Sequence, residues 1–552
     1  MADVVTESRR RRTVAIISHP DAGKTTLTEK LLLYSGAIHE AGAVTGGKHS
    51  ATTSDWMEIE KQRGISVSSS AMRVEYNGLL LNILDTPGHQ DFSEDTYRTL
   101  MAVDSAIMLL DAGRGVQEQT IKLFKVCRDR GIPIITFMNK MDRPARNPLE
   151  LLDEVEQVLG ITAIPRTWPI GDGQDFRGIY DLEHKQFLEF ERTEGNRHKS
   201  PVSIGDVRGE SLRSRIGETA HDHLLESLDF IEGVIPAFDS TNFIEERCTP
   251  VFWGSAITNF GVEHFLQQIL DLAPEPQSFS FTDSRAHING EANANAVREE
   301  STTVGPDSTT VGPGSTTVGP GSTDEFVGFV YKVQANMNKA HRDRISFLRI
   351  VSGRFRRGMT AFHPRTGKET KLNYPFEIFG RERKIIDEAF PGDVIGLTNP
   401  GLFQVGDTLT EGSPLTIPSF PRFAPEIFAK VFPKGGSLSK AFRKGIDQLR
   451  EEGVIQIFTD DDGSPIPIVG VVGELQLELF AWRMENEYGE TVRMERLPFT
   501  RTRWIKGERR PANAVHTVRD EHERPVLLFK SDWEIDYTLQ RSEGLELSET
   551  PI

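Results

Sequence analysis

Only two cysteines, Cys127 and Cys248, occur in 552 residues, and neither stands at metal-ligand spacing from another. That scarcity excludes a disulfide framework and a thiolate zinc site, and it fits reduced thiols in a cytosol. No apolar run comes near the roughly 20 residues that a membrane-spanning helix requires. Four arginines at 9–12 precede "TVAII" in the manner of a secretion signal, but Ser18-His19-Pro20-Asp21 breaks the run at once. A cytoplasmic protein with no membrane partner is therefore expected. Positive charge is also short. A formal net charge of −17 argues against coating nucleic acid through the overall field, and against DNA as a partner. It leaves room for a local basic patch.

What is present is enough apolar content for several cores, 37% of residues, in a chain long enough for about three or four domains. Through residues 13–275, the apolar runs "TVAII", "LLLNILD", "SAIMLLD", "IPIITFMN" and "TPVFWGSA" alternate with amphipathic stretches at 25–34, 117–130 and 148–159. Such alternation predicts a multi-domain α/β protein whose first unit, 1–276, is a mostly parallel sheet with helices on both faces. Residues 161–248 are too long for one crossover and read as an insert. Then composition breaks. Residues 301–321, "STTVGPDSTTVGPGSTTVGPG", are three near-identical heptads whose Gly and Pro forbid a coiled coil. They predict a flexible linker over 277–323 that leaves its neighbours unfixed. Residues 324–415 alternate strand runs with Gly, Pro and Asn turns, the pattern of a small antiparallel β-barrel. Residues 416–552 begin with the β-α-β-β-α-β order of a ferredoxin-like α+β domain. The last fifty residues give no fold assignment.

The chemistry concentrates in the first unit. Ser18-His19-Pro20-Asp21-Ala22-Gly23-Lys24-Thr25-Thr26 joins a strand to a helix, as a phosphate-binding loop does. Such a loop needs backbone N–H groups at a helix N-terminus, a lysine for phosphate and a hydroxyl for magnesium. Ser18 stands where a glycine is usual, which costs backbone freedom but removes no N–H. Asp85-Thr86-Pro87-Gly88-His89 follows the second apolar run. Its aspartate would hold Mg2+ through water, and the Gly88 N–H would face a γ-phosphate. Asn139-Lys140-Met141-Asp142 follows the fourth run. Asp142 can accept from the N1–H and exocyclic amine of guanine while Asn139 addresses the other edge, a donor pair that adenine lacks. Ser255-Ala256 ends the fifth run and would bring a backbone N–H to the guanine oxygen. Four motifs in order, each at the C-terminal end of a strand, predict GTP/GDP as ligand.

P-loop GTPases work largely by placing a water and neutralising charge. Lys24 would neutralise, and His89 would orient the water. Residues 36–66 are long and poor in apolar periodicity, suited to a loop ordered by γ-phosphate and Mg2+. The second hydroxyl on the metal, after that of Thr25, would come from Ser66, with Ser68 the weaker candidate.

"SHPDAGKTT", "SDWMEIEKQRGIS", "DTPGHQDFSEDTYRTL", "TFMNKMDR" and "ANMNKAHRDRISFLRIVSG" resemble the translational GTPases, and among them the bacterial class-two peptide chain release factors. The resemblance spans most of the chain, leaving out the linker and the last fifty residues. It implies a ribosome-dependent GTPase of translation termination whose partners are rRNA and ribosomal proteins. By the same resemblance it would drive class-one release factors off after peptide release. No Gly-Gly-Gln tip occurs, the nearest being Gly171-Asp172-Gly173-Gln174, so the chain is not expected to cut peptidyl-tRNA itself. Alternatives are a translocase-like factor, for which the domain count is short, and a guanine-nucleotide-regulated binding protein without useful hydrolysis. "HRDRISFLRIVSGRFRR" and "RTRWIKGERR" are the candidate basic contacts to RNA phosphates.

Overall fold

The computed structural model describes residues 3–38, 44–45, 48–49, 57, 59–60, 65–190, 202–204, 207–283, 315–335, 344–379, 382–412, 414–418, 420, 422–461 and 463–550. The first unit is built on β1 (Arg11–Ser18), β2 (Ser70–Tyr76), β3 (Leu79–Asp85), β4 (Ser105–Asp111), β5 (Ile134–Asn139), β6 (Thr162–Pro165) and β7 (Cys248–Trp253). Their order is β2-β3-β1-β4-β5-β7-β6. Only β2 runs antiparallel to its neighbour. Helices α1 (Lys24–Tyr34), α2 (Ser93–Leu100), α3 (Glu118–Arg128) and α4 (Pro148–Leu159) connect them, and α5 (Val262–Leu272) follows β7. Val14 and Ile16 of β1 pack with Leu27 of α1 and Phe265 of α5, whereas Ala15 and Ile17 pack with Leu123 of α3 and Leu151 of α4. Burial on both faces explains why these strands read as unbroken apolar runs. The chain leaves β1 toward β3 on one side and later returns to β4 on the other. That reversal opens a crevice at the carboxyl end of β1.

The expected insert over 161–248 is corrected at its start. Thr162–Pro165 is β6 of the main sheet, pairing in parallel with β7. The inserted part proper is a four-stranded antiparallel sheet of Thr167–Ile170, Gly178–Asp181, Gln186–Glu189 and Val202–Ile204, with helices Glu210–Ile216 and Glu218–Val234.

The expected linker over 277–323 is corrected at both ends. β8 (Phe279–Asp283) pairs antiparallel with β9 (Ser315–Val318) and with Leu415–Thr416. The third heptad thus supplies a strand, and Val318 and Phe281 are buried. Its Ser-Thr-Thr-Val is β-compatible in itself, and only the following Gly-Pro stops it. The first two heptads lie outside the described residues.

β10 (Val327–Ala335) and β11 (Arg344–Ser352) centre the antiparallel barrel, flanked by Thr408–Thr410 and Val394–Asn399, around Phe326, Val330, Leu348 and Leu397. This unit is not loosely tethered. Arg349 donates to both Asp104 carboxylate oxygens at 2.7 and 2.9 Å, with both side chains wholly buried. Its other nitrogen reaches Thr13 Oγ1 and, at 2.8 Å, the Gly392 carbonyl. Lys332 of β10 donates to Ser68 Oγ at 2.6 Å and Ser69 Oγ at 2.8 Å, and lies 3.4 Å from Asp95 of α2. Within the two basic runs, several cations have partners inside the protein. Arg349 is internal, and Arg344, Arg354, Arg357, Arg501 and Arg503 pair with Glu451, Glu388, Asp387, Asp532 and Glu549.

β12 (Ile427–Pro433), α6 (Lys440–Glu451), β13 (Gln456–Asp460), β14 (Ile468–Val471), α7 (Glu474–Tyr488) and β15 (Val492–Leu497) follow the expected order. They form the antiparallel sheet β15-β12-β14-β13 of a ferredoxin-like fold. The last fifty residues extend that sheet. Strands Arg501–Lys506, His516–Arg519, Pro525–Phe529 and Glu546–Ser548 join it where Thr459 pairs with Arg519, and a helix, Asp532–Arg541, packs alongside.

Candidate nucleotide-binding site

The crevice at the carboxyl end of β1 is a cleft of about 640 Å³. Ser18, His19, Pro20, Asp21, Gly23, Lys24, Thr25, Thr26, Ser66, Gly88, His89, Asn139, Lys140, Asp142 and Ala256 all line it. These residues come from widely separated stretches, and the sheet order alone brings them together. Ser18 closes β1 in register with Leu109, and it has no positive φ. The usual glycine's freedom is not needed there. The loop takes its left-handed turns instead at Asp21 (φ 64°) and Gly23 (φ 101°). Only glycine fits the second of these positions, since an added Cβ would stand 2.4 Å from Asn139 Nδ2.

Asn139 is the clasp between the two halves. Its Nδ2 donates to the Ala22 carbonyl at 2.8 Å, and its Oδ1 accepts from Ala256 N–H at 2.9 Å. One Nδ2 hydrogen therefore remains for a base edge. At Ser255-Ala256, expected to offer an N–H to the guanine oxygen, the Ala256 N–H bonds Asn139 and the Ser255 N–H bonds the Phe260 carbonyl at 2.9 Å. Ser255 contributes its hydroxyl instead, donating to Asp142 Oδ1 at 2.6 Å. That bond fixes the carboxylate and leaves the other oxygen for a ligand. Lys140, at φ 70°, reaches back to Asp111 at 2.8 Å and pins the turn. Burial pushes the Asp111 carboxyl up, but Lys140 and the Gly113 N–H outweigh it and hold it below the usual range.

At the phosphate end, Lys24 Nζ donates to Asp85 Oδ1 at 2.8 Å and to Ser66 Oγ at 3.2 Å. One hydroxyl and one carboxylate thus meet at the Lys24 ammonium, and both are hard oxygens of the class that Mg2+ prefers. Ser68, the weaker candidate, accepts from Lys332 of the barrel instead. Buried Glu60 accepts from Met57 and Val67 N–H groups at 2.8 and 3.1 Å and shapes this approach. Of the expected 36–66 loop, residues 39–43, 46–47, 50–56, 58 and 61–64 lie outside the described residues. His89 is about one-third exposed, with Nδ1 3.2 Å from Asp91 Oδ1.

The other expected residues support the cleft from behind. Thr86 donates to the Ile16 carbonyl at 2.7 Å, Pro87 accepts from Thr96 Oγ1 at 3.1 Å, and Met141 N–H bonds the Gly254 carbonyl at 3.1 Å. Ala22 and Met141 are buried. Arg114 and Arg143 also line the cleft and escaped the sequence reading. Arg114 follows β4, another strand opening on this edge, and that position was the available signal. Burial, with Arg114 adding to it, pushes the His19 imidazole down toward its neutral form.

Family profiles match in three consecutive blocks. These are the elongation factor Tu GTP binding domain over 9–275, elongation factor G domain 2 over 325–412, and the class II release factor RF3 C-terminal domain over 417–539. A Symbiobacterium thermophilum protein named peptide chain release factor 3 is 48% identical, covering 99% of this chain and 98% of its own. Its namesake from a Cyanothece species is 45% identical over 99% of this chain and 96% of its own. A crystal structure of a Thermus thermophilus protein superposes with a TM-score of 0.67 at 21% identity, covering 93% of this chain and 72% of that one. That likeness shows the fold.

Proposed function

Because the chain belongs to the peptide chain release factor 3 family and is a GTPase of translation termination, we propose that it docks on the ribosome's rRNA and proteins after peptide release and uses GTP to drive class-one release factors off. It would do so in the cytoplasm; among the described residues no helix is long and apolar enough to cross a membrane. The observation that carries the reading is the single cleft in which the phosphate loop and the base-reading turn are clasped by Asn139. The working units we assign are 1–276 for GTP, 324–415 for the barrel and 416–552 for the C-terminal domain.

In this reading Asp142, fixed by Ser255, accepts from the guanine N1–H and amine. Residues 18–26 surround the phosphates with backbone N–H groups, and the Gly88 N–H faces the γ-phosphate. Lys24 neutralises the charge that develops in hydrolysis, exchanging Asp85 for phosphate oxygens. Thr25, Ser66 and Asp85 would hold Mg2+, which supplies further neutralisation of the phosphate oxygens. His89 orients the attacking water. Replacing His89 with Ala should preserve nucleotide binding and abolish the turnover that terminating ribosomes stimulate. Wild-type turnover that terminating ribosomes leave unchanged would defeat the reading.

A further inference from the structure

His89 does not stand alone at the mouth of the cleft. Its Nδ1 lies 3.2 Å from Asp91 Oδ1, and the Asp91 side chain is almost fully buried. The second Asp91 oxygen accepts the Leu475 N–H at 2.8 Å, at the first turn of α7. Leu475 belongs to the C-terminal domain, and α7 is 15 residues long, so its N-terminal N–H groups and dipole favour an anion there. The fit is close. A Cβ added to Gly473, the residue before α7, would lie 2.0–2.2 Å from the Asp91 carboxylate atoms. Gly473 has no left-handed φ, so that crowding, not backbone conformation, is what keeps a side chain out.

An imidazole can orient water through Nε2 only if Nε2 carries the lone pair, which requires the proton on Nδ1. A carboxylate beside Nδ1 selects that tautomer. The competing arrangement, in which Nδ1 accepts the Asp91 backbone N–H at 3.3 Å, would put the proton on Nε2 and leave it unable to accept from water. We propose that Asp91 is a positioning residue for GTP hydrolysis, and that the C-terminal domain sets it through the α7 N-terminus. His89 is then competent only while α7 grips Asp91, so movement of the C-terminal domain is read at the water-orienting group across the domain boundary. This rests on the assignment of His89 given above.

The test uses the full chain with terminating ribosomes and four single variants: His89→Ala, Asp91→Asn, Gly473→Ala and, as control, Gly435→Ala, where an added Cβ meets nothing within 4 Å. Asp91→Asn and Gly473→Ala should each lower kcat by roughly tenfold or more, with GTP and GDP affinity and melting temperature unchanged. The double variant should fall no further than Asp91→Asn alone, and Gly435→Ala should match wild type. The proposal is overturned if Gly473→Ala turns over like wild type while His89→Ala is dead, or if the two effects multiply. A loss of nucleotide affinity or melting temperature in step with kcat would also overturn it, since that marks a merely structural role. If His89→Ala itself keeps full turnover, the earlier assignment falls first, and this inference with it.

Discussion

Asp104→Ala should loosen the barrel from the nucleotide-binding unit. Arg349 and Asp104 are both wholly buried and share two hydrogen bonds. Removing the carboxylate strands a guanidinium that keeps the neutral partners Thr13 and the Gly392 carbonyl. A buried charge stripped of its partner costs about 3–5 kcal/mol. Asp104 also accepts the Gln277 N–H at 2.9 Å, and orphaning that donor adds about 1 kcal/mol. Asp532→Ala is the internal reference, because Arg501 and Asp532 pair at 2.8 Å but are 37% and 67% exposed, where solvent screening leaves a pair little measurable worth. A chain of several domains does not unfold in two states. The assay is therefore urea unfolding followed by near-ultraviolet dichroism, together with small-angle scattering. Asp104→Ala should lower the midpoint of the first transition and expand the molecule below it, leaving the later transition in place. Combining Asp104→Leu with Arg349→Met should recover most of the loss, since an apolar swap removes the stranded charge. A loss under about 1 kcal/mol for Asp104→Ala would show that the joint is open in solution and that the argument is wrong.

Three further outcomes follow from the cleft and the sheet. Asp142→Asn should shift preference from guanine to xanthine nucleotides by about 1.5–3 kcal/mol; competition binding that still favours guanine would contradict the base-reading role. Gly23→Ala places a side chain at φ 101° and 2.4 Å from Asn139 Nδ2. It should therefore weaken GDP binding by about tenfold or more, a change that equilibrium titration would register or refuse. Burial pushes the Glu246 carboxyl up to about 7, with Arg128 opposing. A raised acid contributes stability below its ordinary value of 4.5 and loses it as pH climbs through about 7. Glu246→Gln should thus stabilise the fold at pH 8 by roughly 1–2 kcal/mol, after allowing for partial exposure, and barely at pH 5, as thermal melts at the two pH values would show. Equal effects at both pH values would refute this.

Much of the cleft was readable because its parts sit where strands end, and strands buried on both faces announce themselves as apolar runs. Pro148–Leu159 appeared with both boundaries, having Asn147 as its cap and Gly160 as its stop. What stayed hidden was held by partners far away in sequence. β2 has a mixed pattern and is joined on its outer side by Pro375–Phe379 of the barrel, and Asn139, read as a base contact, is also a clasp for Ala22 and Ala256. Arg349 looked like an RNA-facing cation until its buried partner appeared 245 positions earlier. Nothing local distinguishes such an arginine from a solvated one. The third heptad failed in the opposite direction, since composition spoke for disorder while pairing with β8 made it a strand.

That pairing gives the threefold motif an unexpected status. Thr282 sits across from Ser315 in the ladder, so the polypeptide departs from and comes back to one point on the surface. The distance the chain must cover from Asp283 to Ser315 is therefore set by the ladder and not by how many residues lie between. Copies of the heptad upstream of Ser315 can be gained or lost by the gene without moving either end.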